Sequence, residues 1–289
     1  MLMRKIFYIS IITILAMAAS CTSKQGGGEV IHTYDTSKSI VRTDTGVFVK
    51  VSYLLDDRET TMELRKARGE GETEPFMRYA YGYDVNGNKI LTICSAYNHL
   101  KKDFVHVSME EKEYDDSENA TLTTLYIEEK RQWCPQERHR STYDNRGNEL
   151  TLETYEPNGG DWLIRTKTYF KYDNYNNVIE KTDFRADEKG EWHPVEKFQR
   201  EYNKSLLVME ITSVPTRDNN WVEKTKAEYE YNASHQCTKT TSYMFKYGKW
   251  VNYVQSVYTF DATGNMIDCE TYFWNERTGR WAFHDKEEY

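Results

Sequence analysis

Side chains along Trp221–Tyr231 alternate with a period of two. Trp221, Thr225, Ala227, Tyr229 and Tyr231 fall on one face, and Val222, Lys224, Lys226, Glu228 and Glu230 on the other. That is the pattern of a half-buried antiparallel strand. It recurs along the chain. An aromatic followed by Asp or Asn returns at Tyr83, Tyr114, Tyr143, Tyr172, Tyr202, Tyr231 and Phe260, and the last anchor is Tyr289. Successive anchors are 31, 29, 29, 30, 29, 29 and 29 residues apart. Trp133, Trp162, Trp192, Trp221 and Trp250 each precede an anchor by ten residues. A fixed period of this length is the signature of a repeat architecture. Ten residues is an even number, so in a strand Trp162 and Tyr172 share a face, roughly 33 Å apart. Ten residues is also nearly three helical turns. The alternation, the aromatic and β-branched content and the turn residues exclude a helix.

Turn chemistry follows each anchor, most clearly in Asp84-Val-Asn-Gly-Asn88, Asp144-Asn-Arg-Gly-Asn148 and Asp261-Ala-Thr-Gly-Asn265. Asp and Asn bond back to the backbone, and Gly takes the positive φ of a hairpin loop. A second strand follows. It has an apolar residue seven after the anchor (Ile90, Leu150, Ile179, Met209, Ile267) and an aromatic twelve after (Tyr126, Tyr155, Phe184, Tyr243, Tyr272). Seven and twelve differ by an odd number, so either both faces of this strand are partly covered or a bulge shifts the register. A second turn, such as Pro157-Asn-Gly-Gly-Asp161, leads to the next Trp. The expected fold is all-β, with tandem antiparallel hairpins of period 29–30 residues forming one long twisted, curling sheet of about fifteen or sixteen strands. A degenerate first unit centres on Tyr53, and Ala67 to Pro75 reads as a charged loop.

The amino terminus reads differently. Residues 1–20 combine Arg4 and Lys5 with an apolar run from Ile6 to Met17 and the small residues Ala18-Ala19-Ser20. This is a signal peptide, too short in its apolar part for a stable span. The junction at Cys21 resembles the lipobox of bacterial lipoproteins, with Ala18 where that family most often has Leu. The resemblance implies cleavage before Cys21, lipidation of its sulfur and amine, and stable anchoring by several acyl chains. Residues 21–47 then read as the lipidated Cys and a flexible, Gly-rich linker, and residues 48–289 as the repeat domain.

Charge and chemistry narrow the function. Removing residues 1–20, which carry Arg4 and Lys5 and no acid, takes the formal charge from −8 to −10. No basic stripe is present, which argues against nucleic acid. No hydrolase, zinc, P-loop or dinucleotide fingerprint occurs, so no cofactor or metal is implied. The seven His do not recur with the period, and the many paired carboxylates read as solvated charges. Asp84, Asn86 and Asn88 have calcium-loop spacing, but Ser95 stands where an EF-hand needs Glu. An Asx turn explains them. Cys94, Cys134, Cys237 and Cys269 occupy different repeat positions, so spacing predicts no disulfide.

The Tyr-Asp-x-x-Gly-Asn core of Tyr83–Asn88 and Tyr143–Asn148 resembles the YD repeats of Rhs-type secreted proteins. With the lipobox-like leader, the long period and the terminal anchor Tyr, the chain looks like a group of Bacteroidota lipoproteins of unknown function. That resemblance implies an outer-membrane address, lipid-anchored on the surface or the periplasmic side, and no assigned activity. Nothing matches the protease core or toxin of Rhs proteins. The expected function is a non-catalytic binding or scaffolding module for a glycan or protein. The alternative is a carbohydrate-active enzyme using carboxylates along the repeat surface. Trp133, Trp162, Trp192, Trp221 and Trp250 are the candidate ligand residues, because an indole face can stack on a sugar ring. Their recurrence at one position equally suits a packing role, each Trp against its neighbours.

Overall fold

A computed structural model describes residues 35–43, 46–55, 57–69 and 71–289. The signal peptide and Cys21 lie outside the described residues. The protein is all-β. Eighteen strands, from β1 (Asp35–Thr43) to β18 (Arg280–Glu288), form consecutive antiparallel hairpins in a sheet that is not closed into a barrel. Two compact units are distinguished. One comprises the described residues up to His139 with Glu156–Trp162, and the other is Arg140–Tyr155 with Leu163–Tyr289.

The sequence pattern undercounts the strands at its amino-terminal end. β1 lies within the stretch read as linker, and its residues are nearly all exposed. It carries no aromatic anchor and too little apolar alternation to be recognised alone, yet it pairs with β2 (Gly46–Leu55) from Asp35↔Leu54 to Thr43↔Gly46. The charged segment Ala67–Pro75 is also not a loop. It forms the end of β3 (Arg58–Gly69) and the start of β4 (Glu72–Tyr83). Facing side chains hold it there. Arg68 pairs with Glu74, and Arg65 Nε donates to Thr73 Oγ1 at 3.0 Å.

The turns after the anchors are built as the residues dictate. Asp144 Oδ1 accepts the N–H groups of Arg146 (2.8 Å) and Asn148 (3.0 Å). Asn148 Nδ2 donates to Asp144 Oδ2 at 2.9 Å. Gly147, at φ 79°, donates its N–H to the Asp144 carbonyl. The arrangement repeats at Asp84, Asp173 and Asp261, and with Asn232 in place of Asp.

Two kinds of bulge recur among the described strand pairs. The first follows the anchor turn. Glu230 pairs with Lys239 and Tyr231 with Cys237, which leaves Thr238 extra. The extra residue is Ile90, Ile179 and Ile267 in other units. In these units the apolar position seven after the anchor is the bulge itself, which resolves the odd spacing; after Tyr202 the bulge falls one residue earlier, at Val208, and Met209 pairs with Glu201. A bulge disrupts the ladder locally and frees a backbone group. The next unit's anchor supplies the partner. The hydroxyls of Tyr114, Tyr202 and Tyr231 donate to the carbonyls of Lys89 (3.0 Å), Val178 (3.2 Å) and Leu207 (2.8 Å). Each acceptor is the residue just before a bulge.

The second bulge lies three residues after the Trp. Thr212 pairs with Thr225 and Ser213 with Glu223, leaving Lys224 extra. Val195 and Tyr253 are the equivalents. One extra residue reverses the alternation. The ten-residue spacing thus does not put Trp and anchor Tyr on one face, contrary to the unbroken-strand expectation. They lie on opposite faces.

Burial is uneven. In the first unit Met62, Tyr79, Ala80, Tyr81, Ile93 and Cys94 form a buried cluster. Tyr79, Ala80 and Tyr81 are consecutive, so both faces of β4 are covered there. Burial pushes the Tyr79 hydroxyl up to about 12 and the Cys94 thiol up to about 11. In the second unit the buried positions are mostly small: Ser141, Thr168, Thr182, Ala186, Ser213 and Thr241.

Two outcomes follow from the turns and the bulges. Tyr231→Phe removes one hydroxyl and leaves the Leu207 carbonyl without that donor. Urea unfolding should show a loss of about 1 kcal/mol, the usual worth of such a bond. The Asn148 side chain and the turn amides hold Asp144 at about 2, below its ordinary 3.8. Because the folded value is the lower one, the turn's contribution is complete above 3.8 and is lost as pH falls through about 2. A carboxyl NMR titration of Asp144 should show the low midpoint, and Asn148→Ala should move it upward.

Candidate functional site: the tryptophan face

The face that carries the Trp residues is built from four recurring positions. A long side chain five before the anchor lies across the sheet toward the Trp of the next unit. Arg138 sits 4.3 Å from the Trp162 ring centroid, Lys197 5.5 Å from Trp221, and Lys226 5.6 Å from Trp250. In an earlier unit Arg78 sits 4.0 Å from Phe104, which takes the Trp position ten before Tyr114. The adjacent strands supply a small residue or an aromatic beside the cation. Arg138 Nε donates to Thr124 Oγ1 at 3.2 Å. Lys197 is paired in register with Thr182. Lys226 faces Tyr243 in register, 4.2 Å from its ring centroid. A further ring packs edge-on against the Trp position, as in Phe245–Trp250 at 5.1 Å and Tyr97–Phe104 at 5.3 Å.

Of the candidate residues, Trp133, Trp162, Trp221 and Trp250 are half-buried, and Trp192 is 39% exposed. None belongs to the buried core. Trp133 packs against the first-unit cluster beside Met109, and its ring lies 5.6 Å from that of His106. Lys167, five before Tyr172, instead bonds Glu153 at 2.7 Å and lies 5.3 Å from Tyr169. Trp192, in the following unit, is the most exposed of the five. The Trp residues are thus partly solvated, and Trp133, Trp162, Trp221 and Trp250 each have a charged or aromatic neighbour on one side.

Carboxylates on this face are engaged. Glu228 bonds Lys226 Nζ at 2.7 Å and accepts the Tyr243 hydroxyl at 2.6 Å. The Lys226 and Tyr243 bonds hold its carboxyl below the usual range, while burial and Glu228 push Tyr243 up to about 12. Glu111 accepts from Tyr126, Glu153 from Tyr155, and Glu270 from Tyr272. A general acid needs its proton held near neutral pH, and Glu228 is shifted the other way. Ser95 Oγ lies 3.0 Å from His106 Nδ1, but Ser95 is only 5% exposed, so that hydroxyl is not open to a substrate.

Ligand atoms of Asp187, Glu191 and His193 lie within 4.8 Å of one another. Asp187 Oδ1 already accepts the Lys189 and Glu191 amides, and Oδ2 faces His193 Nε2 at 3.2 Å, which is the chemistry of an Asx turn. Asp84 is likewise occupied by the amides of Asn86 and Asn88. Cys94, Cys134, Cys237 and Cys269 are unpaired. The opposite face carries the anchors, with a hollow of about 530 Å³ lined by Tyr229, Tyr231, Tyr258 and Phe260.

One cleft was missed by repeat reasoning. About 580 Å³ in volume, it lies in the first unit between two hairpin tips, among His106, Trp133, Lys101, Lys130 and Arg131. The sequence held one sign of it. Lys130-Arg131 stands where the next unit has Gly159-Gly160.

No protein-family model matches the chain, and no curated protein matches it. Solved structures share local likeness. A protein of unknown function from Bacteroides fragilis is 16% identical, over 53% of this chain and 92% of its own, with a TM-score of 0.33. A DUF3836 family protein from Bacteroides vulgatus is 20% identical over 31% and 90%, at 0.28. A porin-like protein from Bacteroides uniformis is 10% identical over 78% and 94%, at 0.34.

Trp221→Ala should cost roughly 1–2 kcal/mol in urea unfolding, as fits a half-buried ring with one cation above it. A loss of about 3–5 kcal/mol would mark it instead as a full core residue.

Proposed function

We propose that this protein is a non-catalytic binding or scaffolding module of the cell envelope, anchored to the outer membrane by lipid on Cys21. Its ligand is a glycan or a protein, held on the tryptophan face. The observation that carries this reading is the recurrence of partly solvated indoles at one repeat position, with a charged or aromatic neighbour at Trp133, Trp162, Trp221 and Trp250. A row of amphipathic rings with polar groups beside them suits an extended ligand with apolar faces and polar edges. The carboxylates of that face support binding over hydrolysis, because Glu111, Glu153, Glu228 and Glu270 are each tied to a Tyr hydroxyl. The acidic net charge and the absence of a basic stripe in the sequence argue against nucleic acid as the partner.

Two measurements test it. Cys21→Ser should move the protein out of the membrane fraction and abolish labelling with a palmitate analogue. Unchanged fractionation and labelling would refute the anchor. The full chain, screened on glycan and protein arrays, should bind at least one class of ligand. Trp221→Ala and Trp250→Ala should weaken that binding. An array without any binder, or binding indifferent to both substitutions, would refute the binding face.

A further inference from the structure

The geometry points to an anionic-saccharide site in the cleft between the tip that joins β5 (Lys89–Asn98) to β6 (Asp103–Tyr114) and the tip that joins β7 (Ala120–Glu129) to β8 (Gln132–Tyr143). The inference rests on the binding-module reading and gives it a ligand class. The cleft holds about 580 Å³, within the range of small-ligand sites. Its floor is aromatic. The rings of His106 and Trp133 lie 5.6 Å apart and inclined at 35°, with Phe104 beside them. His106 is exposed and Trp133 half-buried, so both offer ring surface to the cleft. His106 lies just before the bulge of β6 at Val107, and its ring contact with Trp133 puts the pair on the tryptophan face.

The rim is cationic. Lys101, Lys130 and Arg131 line it, against Asp103 and Glu128. Asp103 accepts the Phe104 amide at 2.7 Å and Glu128 accepts the Arg131 amide, which turns one oxygen of each to the backbone, and three cations against two carboxylates leave the rim a formal charge of +1. The three cations are exposed, and among the described residues none of their side chains is in an ion pair. A local positive rim in a chain of formal charge −8 needs a reason.

Backbone cost points the same way. Lys130 and Arg131 both take positive φ, 51° and 65°. A two-residue hairpin turn of this kind prefers Asn-Gly or Gly-Gly. The next unit uses Gly159-Gly160 at φ 62° and 96°, and a later one uses Tyr247-Gly248. Here the turn holds two long cations in a conformation that side chains disfavour. Strain kept at a cleft rim, where glycine stands in a sister unit, is the mark of a side chain retained for what it contacts.

The cleft's chemistry then selects the ligand. Flat ring surfaces suit the C–H face of a pyranose, and the cationic rim suits its acid groups. An extended acidic peptide would be captured by an open strand edge. β6, which runs along the cleft, is paired on both sides, with β5 and with β7.

Titration calorimetry on the full chain tests the inference, with hexagalacturonate as carboxylated probe, a sulfated carrageenan hexamer as sulfated probe and maltohexaose as neutral control. At least one acidic probe should bind, more weakly as salt rises, and maltohexaose should bind at least about tenfold more weakly. The double variant K130N/R131G installs the preferred turn. It should keep or raise the unfolding temperature and lose about tenfold or more in affinity for the acidic probe. W133A should lose affinity for the acidic probe as well. Equal binding of the neutral hexamer, full affinity in K130N/R131G, or no binding of either acidic probe would overturn the site. Ligands found on the arrays and still bound by K130N/R131G would leave the broader binding reading standing while this inference fails.

Discussion

A backbone carbonyl freed at a bulge, and the tyrosine hydroxyl that reaches it from the next unit, tie one repeat to the next. The bulges at Ile90, Ile179 and Val208 interrupt the ladder beside each anchor turn. The hydroxyls of Tyr114, Tyr202 and Tyr231 cover the carbonyls so freed. This explains why the anchor is Tyr rather than any aromatic. A polar backbone group next to a half-buried sheet must find a partner. Phe260 has no hydroxyl to give, and it lines the apolar hollow on that face with Tyr229, Tyr231 and Tyr258.

The second bulge decides what the other face can be. By reversing the alternation it moves Trp192, Trp221 and Trp250 away from the anchor aromatic and onto the face of the Lys, Arg and Glu side chains. Long cations then lie over small residues such as Thr124 and Thr182 and cap the indole ring. Cation and ring each gain contact while the cation's head stays wet. Surface ion pairs alone would contribute little here. Stems and rings packed over threonines let a sheet with few large buried residues keep a covered surface.

The first unit departs from this economy. Around Met62, Tyr79, Ala80, Tyr81, Ile93 and Cys94 it buries a conventional cluster, and beside that cluster its hairpin tips diverge from the repeat. His106 and the Lys130-Arg131 turn have no counterpart in the later units, and a cleft of about 580 Å³ lies among them. In a repeat protein, identical positions mainly serve stacking. Individuality is where a specific contact with something else would be written.

How much of this was legible in the sequence follows from the range of each interaction. Asp144, Gly147 and Asn148 act within five residues, so the turns, the hairpins and the all-β class could be read directly. The period was equally plain, and the odd step from seven to twelve even admitted a bulge. The sequence could not place that bulge. Its position depends on which residues face each other across two strands, as with Glu230↔Lys239 and Tyr231↔Cys237. For the same reason strict alternation misassigned Trp221 and Tyr231 to one face. β1 was hidden because its strand character comes from pairing with β2 rather than from its own residues. The cleft was hidden because His106, Trp133 and Lys101 are brought together only by the packing of hairpins next to one another. Sequence alone determined the repeating unit, since its turns and alternation are local. Tertiary structure decided which face each ring occupies and where the units cease to be alike, since both are settled by contacts between strands.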